Sequence, residues 1–153
     1  MVPAVLRVGE KLRELEIAIL HNRIKNGSKI MKGIVEAHLD LYEYDREGIR
    51  IIQAFLQGYL FPGMSKKTRE NLNDLARNNF QTLRRIINLG KGRGFLKKAV
   101  NEFLLADTIW SLFIGVFQVE ENKMRFTKKN YFYPTMEYGF SLITQSSCPE
   151  SPK

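Results

Sequence analysis

Proline sits only at positions 3, 62, 134, 149 and 152, so residues 4–61 and 63–133 are free of the one residue that helices tolerate least. Within those stretches apolar residues recur at steps of three and four, and no segment alternates cleanly enough for a strand. Asn26-Gly27 has helical patterns on both sides instead of the alternating runs of a hairpin. The expectation is an all-α chain, a bundle of about six helices, with no internal repeat.

The spacing predicts a first helix from about Ala4 to Lys25, with Leu12, Leu15, Ile19 and Leu20 on one stripe. Asn26-Gly27 ends it, and Ser28 is placed to cap a second helix over Lys29–Tyr44. In that helix Ile30, Ile34, Ala37 and Leu41 form one row, and Met31, Val35, His38 and Tyr42 the next. Asp45 caps a third helix from Arg46 to about Leu60, closed by Pro62-Gly63. Ser65 caps a fourth over Lys66–Leu89, with Gly90 just past its end. A fifth follows from about Leu96 to Glu120 and a sixth from about Asn130 to Gln145. Residues 1–145 read as one domain, and the tail "SSCPESPK", residues 146–153, as disordered.

The fifth helix has a distinctive pattern. Ala99, Phe103, Ala106, Trp110, Phe113 and Phe117 form one row, and Leu105, Ile109, Leu112 and Val116 another. Phe103 of the first row and Leu105 of the second are two residues apart, about 200° around a helix, which places apolar side chains on opposite sides. One side suits the core; the other needs the last helix, a second subunit, or both. The reading is a homodimer whose interface is built from Leu105, Ile109, Leu112 and Val116 with Met136, Phe140 and Ile143 of the sixth helix. A monomer with a central helix is the competing reading.

The same residues restrict chemistry. The two histidines, His21 and His38, lack ligand partners at zinc-motif spacing, so no metal or cofactor is expected. His38 reads first as a satisfied core histidine and second as a polar group lining a pocket. No nucleophile–base constellation is visible, so no catalytic residue is assigned and an enzyme is not expected. The single Cys148 excludes an intramolecular disulfide and fits a reducing compartment. There is no apolar leader, and Phe103–Val119 contains Asp107 and is short for a span, so the expectation is a cytoplasmic protein without membrane contact.

"NLGKGRGF", residues 88–95, resembles a phosphate loop only in composition. Its lysine precedes two of its three glycines, no Ser or Thr follows, and a helix rather than a strand comes before it. A turn between helices accounts for it. With net charge +8 and six basic residues but no acidic one between Arg84 and Lys98, nucleic-acid binding through this patch is the alternative function. Only Phe95 interleaves it with an aromatic ring, which fits a solvated helix end better. The remaining aromatics, among them Phe55, Tyr59, Phe61, Phe80, Trp110, Phe113 and Phe117, fit either a plain core or the wall of an apolar pocket.

Three segments carry a family resemblance: "IVEAHLDLYEYDREGIRIIQAFLQ", "INLGKGRGF" and "LADTIWSLFIGVF" with its late Gly115. In that order, and over most of residues 5–145, the chain resembles the C-terminal ligand-binding and dimerisation domain of TetR-family transcriptional regulators. The resemblance implies an all-helical domain that dimerises through its last two long helices and holds a small apolar or aromatic effector among the central ones. The candidate effector-lining set is then His38, Tyr42, Phe55, Tyr59, Phe80, Leu83, Trp110, Phe113 and Phe117. In that family DNA is read by an N-terminal helix-turn-helix. No such segment is seen here; "VGEKLRELEIAIL" is similar to the first helix after it, so the expectation is an excised or headless domain.

Overall fold

The computed structural model describes residues 2–58 and 63–150, and those residues fold into six helices with no strand among them. They are α1 (Val2–Leu20), α2 (Gly27–Tyr44), α3 (Arg46–Leu56), α4 (Lys66–Gly92), α5 (Glu102–Thr127) and α6 (Phe132–Ser147). The all-helical bundle expected from the proline-free periodic stretches is what forms.

Side-chain chemistry explains most of the boundaries. The Asn26 side chain accepts from Lys29 N at 2.8 Å, so Asn26 is the cap of α2, two residues ahead of the expected Ser28. Asp45 caps α3 by accepting from Gly48 N at 2.8 Å, and Ser65 caps α4 by accepting from Thr68 N at 3.2 Å. The first helix stops at Leu20, five residues short of the expected Lys25, because Asn22 turns into the left-handed region at φ 58°. The fifth begins at Glu102 instead of Leu96, since Asn101 accepts from both Phe103 N and Leu104 N at 3.0 Å. It runs to Thr127 and ends where Lys128 adopts φ 54°. The expected end of the third helix near Leu60, and Pro62, lie outside the described residues.

α2 is the central element. Its buried row includes Ile30, Met31, Ile34, Ala37, His38, Leu41 and Tyr42, and it packs against α1, α3, α4 and α6. α1 packs on α4 and α2, while α5 packs on α4 and α6. The last helix extends into the segment expected to be disordered. Ser147 is buried and its carbonyl accepts from Lys97 N at 2.9 Å, and Cys148 packs against the core. Burial pushes the Cys148 thiol up, away from a reactive thiolate. Residues 151–153 of that tail lie outside the described residues.

The two apolar rows of α5 are neighbours, not opposites. Leu105 and Ala106 are adjacent in sequence, about 100° apart, and both are buried. Ile109, Phe113, Val116 and Phe117 continue the same broad face. Phe103, which set the apparent opposite side, is 54% exposed. Length and composition alone would let α5 cross a bilayer, with a third of its most apolar window buried. Here it packs on α4 and α6, and the Glu120 carboxylate inside it accepts from Tyr131 N at 2.9 Å and Lys123 at 3.0 Å.

Candidate functional site

α1, α2, α3, α4 and α5 leave a cavity of about 140 Å³ between them. α1 contributes Val5, Val8 and Leu12, α2 His38 and Leu41, and α3 Ile52, Phe55 and Leu56. α4 adds Leu72, Asn73, Ala76, Asn79, Phe80 and Leu83, and α5 adds Trp110. Every charged side chain is absent from that wall, which is apolar apart from two asparagines, the imidazole and the indole N–H.

The void has a local cause. α1 and α4 pack along each other, but α4 turns Asn73, Ala76 and Asn79 toward the space beside α1. Asn79 reaches across to donate from Nδ2 to Val5 O at 3.0 Å, and Gly9 lets it pass. An added Cβ at Gly9 would lie 2.5 Å from Asn79 Oδ1. A small and polar strip opposite Val5 and Val8 cannot fill the gap that large apolar side chains would.

His38 is the polar feature of the cavity, and it is only 2% exposed. Its Nδ1 lies 2.8 Å from Ile34 O, one turn back along α2. A carbonyl only accepts, so Nδ1 carries the proton and Nε2 is the acceptor. Burial lowers the His38 pKa below its ordinary 6.5, with the Ile34 carbonyl opposing, so the ring is neutral near pH 7. Rings pack around it: Phe113 at 5.2 Å edge-on and Trp110 at 6.2 Å, with Phe80 6.3 Å from Trp110 on the far side.

Of the nine residues expected to line an effector pocket, His38, Phe55, Phe80, Leu83 and Trp110 do face this cavity. Tyr42, Phe113 and Phe117 do not. Tyr42 stacks on Phe132 at 3.7 Å, meets Phe117 edge-on at 5.9 Å and accepts from Asn130 at 2.6 Å. Phe113 supports His38 and Trp110 from behind. These rings form the interior joint of α2, α5 and α6, because the row they occupy faces the last helix and not α1. Tyr59 lies outside the described residues. The apolar wall from α1, with Leu72 and the asparagines of α4, was missed in sequence; its signal was the run of small and amide residues Asn73, Ala76 and Asn79 at three-residue steps along α4.

The residues expected to form a dimer face are mostly spent inside the chain's own core. Leu105, Ile109, Val116, Met136 and Phe140 are buried in its core, and Leu112 and Ile143 are half-buried against it. Leu112 packs on Gly139 so closely that a Cβ there would lie 2.8 Å from its methyl. The large apolar side chains that α5 and α6 do expose are others, among them Phe126, Phe103, Leu104, Val119, Tyr138 and Leu142.

The basic patch is largely engaged in the fold. Arg85 pairs with Glu16 at 2.9 Å, Lys91 with Glu102 at 3.1 Å, and the Arg84 guanidinium lies 4.6 Å from the Phe103 ring. Arg93 donates to Ile19 O, to Leu20 O at 3.3 Å and to Asn22 Oδ1 at 3.0 Å, closing the exposed end of α1. Among the described residues no group of three His, Cys, Asp or Glu side chains is placed to hold a metal. No family model, curated protein or solved structure matches the chain.

Proposed function

We propose that this chain is the effector-binding, dimerising domain of a transcriptional regulator of TetR type, acting by binding and not by catalysis. The observation that carries the ligand-binding part is the apolar cavity, walled by five helices and free of charged side chains. A mainly apolar space of this order takes a small aromatic molecule. The regulatory part is supported by the resemblance of "IVEAHLDLYEYDREGIRIIQAFLQ", "INLGKGRGF" and "LADTIWSLFIGVF". Because α1 supplies Val5, Val8 and Leu12, a ligand that fits one position of α1 better than another shifts that helix, and with it whatever precedes it.

Trp110 is the only tryptophan, and it lines the cavity, so its emission reports occupancy. The expected result is a saturable change in Trp110 fluorescence with anisole, lost when Ala76→Phe places a ring in the cavity. A folded Ala76→Phe variant that responds like the wild type would refute the assignment. The proposed partner in the dimer is a second copy, seated on the exposed apolar residues Leu104, Val119, Tyr138 and Leu142. Light scattering should give twice the 17.8 kDa chain mass, and Val119→Lys with Leu142→Lys should halve it. A wild-type monomer at micromolar concentration would refute the dimer.

A further inference from the structure

We propose that the effector is a neutral aromatic molecule of one or two rings carrying a hydrogen-bond donor, a phenolic O–H or an indole-type N–H, and that this donor is received by His38 Nε2. The inference rests on the cavity being the effector site and adds the polarity of what enters it.

The tautomer fixes the direction. Nδ1 is committed as donor to Ile34 O at 2.8 Å, which leaves Nε2 as an acceptor. Nε2 makes no hydrogen bond among the described residues. No enclosed side-chain nitrogen or oxygen is left without a partner among them, so Nε2 keeps accessible surface, and since His38 lines the cavity we infer that this surface faces the void. An acceptor that opens into an apolar space favours a ligand that donates to it, and a ligand without a donor strips it of water and returns nothing.

The wall supplies the other restrictions. It offers no Lys, Arg, Asp or Glu, so a carboxylate or an ammonium would be desolvated without a counter-charge. The second ring nitrogen cannot become a donor for an anion cheaply, because burial holds the imidazole neutral. The Trp110 ring beside His38 offers a face or edge to an aromatic guest. The volume of about 140 Å³ limits that guest to a small ring system.

p-Cresol and anisole test this, because they are isomers of equal atom count and only the first has a donor. Their affinities are measured by calorimetry for the wild type, for His38→Phe and for His38→Gln, which keeps an acceptor. The expected result is a cresol-to-anisole affinity ratio that falls about five- to tenfold in His38→Phe, with part of it kept in His38→Gln. In the wild type, the His38 Nε2 nitrogen resonance should shift with cresol and stay in place with anisole, a readout that needs no variant to fold. An unchanged ratio in a folded His38→Phe, or equal shifts with both compounds, overturns the donor assignment while the cavity reading stands. Binding of neither isomer by the wild type overturns both.

Discussion

Replacing Gly27 by Ala should damage this fold far more than an ordinary helix substitution does. Gly27 is the first residue of α2, and its missing side chain is where the turn after α4 comes in. A Cβ there would lie 2.2 Å from Phe95 O, 2.7 Å from Cys148 Sγ and 3.1 Å from Leu96 Cδ2. Ordinary contact begins near 3.4 Å, so the Phe95 carbonyl would have to withdraw by more than an ångström. It is not free to do so: Phe95 N and Leu96 N both donate to Gly90 O, at 2.8 and 3.0 Å. Overpacking of this kind costs about 1–3 kcal/mol. Loss of backbone freedom in the unfolded chain returns about 0.4–1 kcal/mol. The net expectation is a loss of about 1.3 kcal/mol, or a Tm lower by about 3–5 °C for a chain of this size. Gly92→Ala is the internal control, since it also lies in a helix and meets nothing within 4 Å. It should be neutral or stabilising by up to about 1 kcal/mol. Urea unfolding followed by circular dichroism reads both. If Gly27→Ala were as harmless as Gly92→Ala, the close approach of Phe95 to α2 would be refuted.

Other expectations follow from single groups. Arg93→Ala should cost about 1–2 kcal/mol by exposing the carbonyls of Ile19 and Leu20, and Arg93→Lys should not restore it, because one ammonium cannot reproduce the fork; full rescue by Lys in urea melts would count against this. Glu120→Ala should cost about 1–3 kcal/mol by leaving the Tyr131 N–H without its acceptor, and Glu120→Gln less; equal stabilities of the three proteins would contradict it. His38 titrates below 6.5 when folded, so its contribution is intact above pH 6.5 and is lost as pH falls, the unfolded chain taking up the proton first. The slope of stability between pH 7 and 5 should be shallower in His38→Gln than in the wild type, by up to about 1.4 kcal/mol per pH unit; identical slopes would show that His38 is not buried in neutral form.

The helices were legible because proline placement and three-to-four periodicity act locally. The caps at Asp45 and Ser65 were legible for the same reason, since each needs only its own side chain and an amide three residues on. The turn "NLGKGRGF" was legible in kind but not in register. Gly90 sits inside α4, held between Leu96 and Ile30, and the left-handed residue is Gly94 at φ 75°. The helix continues past Gly90 because tertiary contact with α2 favours it there, and no local rule contains that contact. Face assignment on α5 failed for a related reason. An offset of about 200° depends on which residue of each row it is measured from, and Phe103, from which it was taken, is largely exposed.

The cavity was the least legible feature, because it is made by what is missing. Five of its lining residues were expected from their aromatic or core character, yet the same reasoning also chose Tyr42, Phe113 and Phe117, which fill space instead of bounding it. What separates the two groups is the element opposite. Tyr42 and Phe113 meet Phe132 at the start of α6, and Phe117 meets Tyr42, so that large rings interlock there. Phe80 of α4 and Trp110 of α5 border the space that Asn73, Ala76 and Asn79 leave open beside α1. A bundle that needed only stability would place larger apolar residues there. Exchanging Ala76 for Leu is therefore the discriminating change: the added methylenes would cover apolar surface now facing the void, so the free protein should gain about 0.5–2 kcal/mol while losing the response of Trp110 to aromatic ligands. Stability gained and binding lost together would identify the void as a feature kept for a guest.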